Sequence, residues 1–180
     1  YCDLGAGVCS ARDADGHGTH TSTTAVGSYV TSAPVLGVDR GPISGVAPGA
    51  SVIMYRVCSE GGCYGSDSVA AVQQAIADGV DVINFSISGG SDAYTDAVEL
   101  AFLDAYKAGV SVSASAGNEG PGNGTANHAG PWVTTVAAPT SDRSFSSTLT
   151  LAAADGATFS TVGATITAGV PAPPGALPPP

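Results

Sequence analysis

The sequence predicts an α/β fold built on a parallel sheet, because apolar strand segments alternate with amphipathic helical segments. Buried strands are predicted at 51–57, 80–85, 110–116 and 132–138. Helices are predicted between them over 67–78 and 95–108, each with one apolar face and each followed by a glycine, Gly79 or Gly109. This alternation favours right-handed crossovers, which place helices on both faces of the sheet in three layers.

Two strand ends and the C-terminal segment differ in composition from the rest of the chain. The strand ends at 86–90 and 117–120 are rich in glycine and serine, and binding sites of parallel sheets collect at such ends. Short alternating stretches of Thr, Ala and Ser over 146–169 indicate a β-rich segment. Residues 171–180 contain six prolines and are predicted to be extended or disordered, so the domain is expected to span 1–170.

Composition and charge limit the kinds of molecule that this protein is expected to bind. The chain has 180 residues, 43% of them hydrophobic, which is enough to bury a core. Fifteen acidic residues against five basic ones give a net charge of -10, so a phosphate backbone would be repelled and nucleic acid is excluded. No apolar run has the length of a membrane span, and no signal segment is visible. The single methionine, Met54, indicates a chain cut from a longer protein.

The four cysteines form two local pairs, Cys2 with Cys9 and Cys58 with Cys63. Glycines between Cys58 and Cys63 would let a short loop close, so disulfides are favoured over free thiols. A zinc site is disfavoured, because neither pair has the two-residue spacing of a zinc knuckle and no histidine stands beside them. Disulfides in turn indicate an oxidising compartment, and we expect a secreted, extracellular protein.

A histidine motif lies near the N-terminus, where D-G-H-G-T-H occupies residues 15–20. Glycines flank His17 at the start of a predicted helix over 18–26, which would let the imidazole approach a substrate with little steric cover. This setting suits a general base. The alternative is a capped helix start with two incidental histidines, but the complete string is more specific than a lone histidine. A metal site at His17 and His20 is disfavoured, because no third ligand is evident.

A second motif, S-A-G-N-E-G-P at 115–121, follows a predicted strand. Acyl transfer needs a preorganised hydrogen-bond donor aimed at the developing oxyanion, and the side-chain amide of Asn118 on a rigid strand end suits that role. The alternative is an asparagine in an ordinary turn, which is a common arrangement.

Together these motifs resemble those of the subtilisin-like serine peptidases, or subtilases, and the resemblance covers roughly residues 15–145. The G-V-A-P string at 45–48 and the V-I-N-F-S string at 82–86 are similar to further segments of that family. The resemblance implies that His17 is the general base, that Asn118 forms the oxyanion hole, and that His20 is a structural hydrogen-bonding residue. It also implies a subtilisin-like fold and serine endopeptidase activity on polypeptide substrates, with no metal or cofactor.

The same resemblance implies two walls of a substrate pocket. By position, one wall consists of Ser86, Ile87 and Ser88, and the opposite wall of Ser115, Ala116 and Gly117. Ser88 stands where many relatives have glycine. The loop between the second pair of cysteines and the G-P-G string at 120–122 look most similar to the larger subtilases. Many of those carry an inserted protease-associated domain, and the β-rich segment would lead into that insertion.

Two members of the subtilase triad are not evident in this chain. The family order is Asp, His, Ser, but Asp3 lacks a preceding apolar strand and stands too near His17. The G-T-S serine motif of the family is absent from the sequence. We therefore expect an incomplete catalytic domain that is monomeric and is inactive alone.

Two other functions compete with this interpretation. A subtilase-like chain without catalysis could serve as a binding module, and a full-length sequence that lacks the catalytic Ser or Asp would favour that function. An α/β hydrolase acting on esters is disfavoured, because the G-x-S-x-G nucleophile elbow of that fold is absent.

Overall fold

The computed structural model describes residues 12–59, 61–90, 92–142 and 144–164, and these divide into two units. Within the described ranges, the first unit contains 12–14 and Ile53–Pro139, and the second contains Asp15–Val52 and 140–164. The predicted disulfide between Cys2 and Cys9 and the proline-rich segment 171–180 lie outside the described residues. In chain order the elements are α1 (His17–Val26), β1 (Pro34–Val35), β2 (Val38–Asp39), β3 (Cys58–Ser59), β4 (Gly62–Cys63), α2 (Gly65–Asp78), β5 (Val82–Phe85), α3 (Ala97–Lys107), β6 (Ser111–Ser115), β7 (Val133–Val136), β8 (Ser146–Ala152) and β9 (Thr158–Ala164).

Three parallel strands form the main sheet of the first unit, in the order β5-β6-β7. The register places Phe85 opposite Ala114, so β5 and β6 end at the same edge of the sheet. β6 and β7 run in the same direction, with Val112 opposite Val133. The predicted α/β fold with a parallel sheet is therefore confirmed.

α2 and α3 pack against each other, and their apolar faces bury one face of this sheet. Phe85, Val112 and Ala114 share that face, because the register aligns them and side chains alternate along a strand. They belong to a cluster of buried side chains that includes Phe102 of α3, which is 0% exposed. Full burial of a large apolar side chain contributes about 1.5–3 kcal/mol, so this cluster is a major source of stability for the unit.

Gly79 ends α2 as the sequence predicts, and the structure shows in addition how α3 begins. Gly79 follows α2 in the left-handed conformation (φ 72°), and its N–H donates to two carbonyls of the last turn. Asp96 caps α3, where its carboxylate accepts the N–H groups of Val98 at 2.8 Å and of Glu99 at 3.2 Å. Among the described residues, no helix has both the length and the apolar character needed to cross a bilayer.

The strand predicted at 51–57 is absent, and that prediction was wrong. Val52, Ile53 and Met54 are 59%, 53% and 59% exposed, so their apolar character does not reflect burial here. A strand needs a neighbour to satisfy its backbone hydrogen bonds, and no described strand pairs with this segment, since β5 pairs only with β6. An apolar run in the sequence indicates that a segment tends to be buried. It does not determine whether a neighbouring strand is available to pair with that segment.

A short hairpin of β3 with β4 carries the disulfide between Cys58 and Cys63. The two cysteines lie opposite each other in the register, with Cα atoms 4.1 Å apart. Gly62 has a φ of 112°, a conformation that is strained for residues with a side chain, which explains the glycine between the cysteines. The predicted disulfide at this position is confirmed.

The second unit contains α1 and two hairpins, β1 with β2 and β8 with β9. β8 and β9 pair antiparallel, from Ser146 opposite Ala164 to Ala152 opposite Thr158. Gly156 lies in the turn between them with a φ of 87°, which glycine adopts readily. The predicted β-rich segment is therefore present as far as residue 164, where the described part of the chain ends.

A hydrogen bond between Tyr55 and Asp78 shifts the pKa values of both side chains in the first unit. The Tyr55 hydroxyl donates to Asp78 Oδ2 at 2.5 Å, and Gln74 donates to the other carboxylate oxygen at 2.8 Å. Ionisation of Tyr55 would break its hydrogen bond to Asp78, and this effect, with partial desolvation and the Asp78 charge, raises the pKa of Tyr55 to about 12. The same hydrogen bond lowers the pKa of Asp78.

We expect Tyr55 in the Asp78→Asn variant to ionise at lower pH, nearer the ordinary pKa of about 10. Spectroscopic titration of the phenolate measures this, and Tyr55→Phe identifies which transition belongs to Tyr55. Because the folded-state pKa of Tyr55 is raised, its contribution to stability is present below about pH 10 and is lost as the pH rises through about 12. An unchanged Tyr55 transition in Asp78→Asn would contradict this origin of the shift.

Candidate active site

His17 is the first residue of α1, and its side chain is exposed. Gly16 precedes it with a φ of 104°, which a residue with a side chain adopts only under strain. The His17 N–H donates to Asp15 Oδ1 at 3.2 Å, which gives one of the unpaired donors at the helix start an acceptor. The D-G-H string therefore folds as a turn into a helix, with the imidazole at the helix start.

Local hydrogen bonds account for the many Ser and Thr residues of α1. The hydroxyls of Ser22, Thr23 and Thr24 each donate to the carbonyl four residues earlier, at 2.7–2.8 Å. No residue of α1 is fully buried, so these bonds take the place of a strong apolar contact. The His20 ring is exposed on the turn after His17, and no described residue hydrogen-bonds to it. A structural role for His20 stays a prediction.

The G-V-A-P string holds the carboxyl end of α1. The N–H groups of Val46 and Ala47 donate to the carbonyls of Thr24 and Ala25, at 3.1 and 2.8 Å. Carbonyls in the last turn of a helix have no partner within the helix, so these bonds complete it. A β-carbon on Gly45 would lie less than 3.0 Å from the backbone at the helix end, which excludes any larger residue there. This motif therefore fixes the helix that begins with His17.

The two predicted pocket walls lie at the carboxyl ends of β5 and β6, which are neighbours in the sheet. Ser86 and Ser115 lie at the same edge, and both line a cavity of about 170 Å³. The other lining residues are Asn84, Ser113, Ala114 and Val136. Asn84 Nδ2 donates to Ser86 Oγ at 3.1 Å, which orients one hydroxyl of the cavity. The remaining predicted wall residues do not line it: Ile87, Ser88, Ala116 and Gly117.

Asn118 lies in the loop after β6, and its side chain is exposed. Gly117 before it has a φ of 83°, so the chain changes direction directly after the strand. The Asn118 N–H donates to Glu119 Oε2 at 2.9 Å, which restrains the backbone of the loop. The amide side chain is therefore carried by a restrained backbone at the carboxyl edge of the sheet.

Asn127 connects the loops after β5 and β6, and the sequence did not reveal it. Its Oδ1 accepts the N–H of Gly89 at 2.7 Å, and its own N–H donates to the carbonyl of Ala116 at 3.0 Å. A β-carbon on Gly117 would lie less than 3.0 Å from Asn127 Oδ1, so the two residues fit only because one is glycine. The connection joins distant parts of the chain, and no local pattern indicates it.

A buried pair, Glu99 and His128, contacts the loop after β5 and was also not predicted. His128 Nδ1 lies 2.5 Å from Glu99 Oε1, and His128 Nε2 donates to the Ile87 carbonyl at 2.8 Å. The side chains of His128 and Glu99 are only 1% and 0% exposed. The sequence carries one indication of this pair, since Glu99 lies beside the apolar face of the second predicted helix. Its partner His128 is far along the chain.

Comparison with known proteins decides the family. The sequence pattern of the Subtilase family matches residues 8–174. The chain belongs to the subtilase family. The subtilisin-like protease SBT1.7 of Arabidopsis thaliana is 50% identical over 137 residues, which cover 76% of this chain and 18% of that protein. The CO(2)-response secreted protease of the same plant is 44% identical over 148 residues, which cover 79% of this chain and 19% of that protein.

The fold of the subtilase chain is similar to that of a solved structure. Sphericase matches with a TM-score of 0.52 and 32% identity, covering 69% of this chain and 39% of that chain. The predicted subtilisin-like fold is therefore confirmed. The chain spans about a fifth of the length of the curated subtilases that it matches.

The predicted site residues of this subtilase belong to both units. His17 lies in the second unit, at the start of α1. Asn118 and both predicted pocket walls lie in the first unit, at or directly after the carboxyl ends of strands of the parallel sheet. Family membership is established by the comparisons, and the catalytic or binding role of each residue stays a prediction.

Gly117 offers a test of the restrained loop in this subtilase. We expect Gly117→Ala to lower the free energy of unfolding by about 1–2 kcal/mol, because alanine is disfavoured at positive φ. Its β-carbon would also lie less than 3.0 Å from Asn127 Oδ1. Denaturant unfolding measures the change. Gly122→Ala is the control, since its nearest neighbour would be Thr125 Cγ2 at 3.6 Å and little change is expected. Equal effects of the two substitutions would contradict the prediction.

Proposed function

We propose that the complete protein containing this subtilase chain is a serine endopeptidase that hydrolyses peptide bonds through an acyl-enzyme. The observation that carries the proposal is the family match over 8–174, which includes both the H-G-T-H and the A-G-N-E-G motifs. Relatives with 50% and 44% identity are named as proteases. The exposure of both motifs supports the proposal as well, because reacting groups must be reachable by a substrate.

His17 is the general base in this mechanism. It takes the proton from a serine that lies in a part of the protein beyond these 180 residues, and later returns that proton to the leaving amine. An aspartate, also from beyond these residues, orients the imidazole. Two structural features support this role for His17: its side chain is exposed, and the flanking glycines, Gly16 and Gly18, leave its surroundings open.

Asn118 stabilises the transition state in this mechanism. Its side-chain amide donates to the oxyanion that develops on the scissile carbonyl. A donor of this kind is effective only when it is held in place before the reaction, because reorganisation would cost free energy at the moment of reaction. The restrained backbone after Gly117 supports such preorganisation.

The substrate is a polypeptide, which adds as an extended strand beside residues 86–88 and 115–117. These two segments follow neighbouring parallel strands, so an extended chain can contact both. The cavity of about 170 Å³ lined by Ser86 and Ser115 supports a binding pocket at this edge. Its polar lining comes from hydroxyl and amide groups rather than from charged side chains.

We also place the proposed peptidase outside the cell. The disulfide between Cys58 and Cys63 supports this location, because disulfides persist in oxidising compartments. One of the Arabidopsis relatives is named as a secreted protease.

Kinetics of three variants of the complete enzyme test the proposed roles. We expect His17→Ala to leave only the residual catalysis of binding and the oxyanion hole, because the proton transfer is lost. Asn118→Ala should lower kcat with KM nearly constant, since the amide acts only as charge develops. The size is adopted from subtilisin, where removal of one oxyanion-hole donor lowers kcat by about 10²–10³. His20→Ala should reduce stability and spare kcat.

Two outcomes of this experiment would contradict the roles. If His20→Ala abolished kcat while His17→Ala kept it near the wild-type value, the general base would be the other histidine. If Asn118→Ala raised KM and spared kcat, Asn118 would bind the substrate and would not stabilise the oxyanion. An inactive wild-type protein would favour the non-catalytic binding module.

The 180-residue chain alone should show no peptidase turnover, because the proposed mechanism needs a serine that it does not contain. We expect no stoichiometric reaction with a fluorophosphonate probe and no cleavage of a casein substrate. The complete enzyme serves as the positive control for both assays. Stoichiometric labelling of any serine in the isolated chain would refute this expectation.

A further inference from the structure

The Glu99–His128 pair is buried in the core of the first unit and takes no part in the proposed chemistry. Together with Phe102, these two side chains are the largest that are fully buried among the described residues. Burial of ionisable groups is costly unless partners and hydrogen bonds offset the lost hydration. The contacts of this pair must therefore offset the cost of burying two ionisable groups in a small core.

These contacts run from α3 to the loop after β5. Glu99 Oε1 lies 2.5 Å from His128 Nδ1, and His128 Nε2 donates a hydrogen bond to the Ile87 carbonyl at 2.8 Å. The backbone N–H of His128 donates to the Gly90 carbonyl at 3.2 Å. His128 therefore hydrogen-bonds to two carbonyls of the segment 86–90. One of these carbonyls belongs to Ile87, a predicted wall residue.

The available donors fix the orientation of the imidazole ring. A carbonyl oxygen only accepts hydrogen bonds, so Nε2 must carry the hydrogen that points at Ile87. The short contact at Nδ1 places a further hydrogen between the ring and the carboxyl group of Glu99, whichever atom carries it. Glu99 thus determines how the ring lies, and the ring determines where the Ile87 carbonyl lies.

The surroundings of the pair leave it little freedom to move. A β-carbon on Gly90 would lie less than 3.0 Å from both Glu99 Oε1 and His128 Nδ1, so the loop passes close over the pair. Trp132 Nε1 donates to the Glu99 carbonyl at 3.0 Å, and the Thr135 hydroxyl donates to the His128 carbonyl. The backbone of both residues is therefore restrained from the segment that leads into β7 and from β7 itself.

We propose that Glu99 and His128 are positioning residues that hold the loop 86–90 in the shape that selects the substrate side chain before the scissile bond. This inference rests on the proposed function, in which the segment 86–88 forms one side of the substrate-binding site. Ser86 of that segment lines the cavity, and Ile87 follows it directly. Movement of a wall changes how well a side chain fits, so it acts first on substrate binding and less on proton transfer.

Kinetics of the complete enzyme test this with two peptide substrates that differ only in the size of that side chain. His128→Leu removes the donor to Ile87, and we expect KM for the larger substrate to rise about tenfold with kcat nearly unchanged. Glu99→Leu removes only the partner that orients the ring, so a rise of about threefold is expected. Glu99→Gln keeps a group that can donate to Nδ1, and KM should stay within about twofold of wild type.

Val72→Ala is the matched control, because Val72 is 3% exposed in the same core and its side chain has no polar atom that could hydrogen-bond to the loop. We expect this variant to lose stability while it keeps the wild-type ratio of KM values for the two substrates. A wild-type ratio in His128→Leu would overturn the inference. So would a Glu99→Gln variant as impaired as Glu99→Leu, since hydrogen bonding through the side chain would then not be the cause.

Hydrogen exchange separates a failure of this inference from a failure of the proposed function. In the complete protein, we expect amides in 87–90 to exchange about tenfold faster in Glu99→Leu than in wild type, with near-wild-type rates in Glu99→Gln and Val72→Ala. This pattern in a protein without peptidase activity would overturn the proposed function and support the positioning of the loop. Unchanged exchange in both Glu99→Leu and His128→Leu would overturn the inference, whatever the activity.

Discussion

Parallel pairing of β5 with β6 sets the position of the loops at the carboxyl edge of the sheet in the first unit. Because Phe85 lies opposite Ala114, the residues that follow the two strands become neighbours although they are far apart in the sequence. The same register keeps Val112 and Ala114 on the face that packs against Phe102. A slip of one residue would turn both side chains out of the core, so core packing and loop position depend on each other.

Pairing of the strands brings the loops together, but side chains from another segment hold them. Asn127 joins the loop at Gly89 to the end of β6 at Ala116, and His128 holds the Ile87 carbonyl from within the core. Both residues belong to the connection between β6 and β7. One short piece of chain therefore restrains both walls of the proposed pocket, whereas the family motifs contain the groups proposed to act on the substrate.

Prediction from the sequence succeeded where short-range chemistry decides the outcome. Gly79 ends α2 as predicted, because glycine turns the chain there without strain. The strand expected at 51–57 failed for the opposite reason. Val52 and Met54 suggest burial, but a strand forms only where a second strand supplies hydrogen bonds, and that depends on the whole sheet.

By itself the sequence determined the family, the α/β class, the Cys58–Cys63 disulfide and the two motifs, since each depends on residue types within a short stretch of chain. Only the tertiary structure decided that Asn127 joins Gly89 to Ala116 and that Glu99 lies against His128. The physical reason is that these contacts join elements distant in sequence. Strand register and helix packing determine which residues form these contacts, and no local periodicity in the sequence encodes either of them.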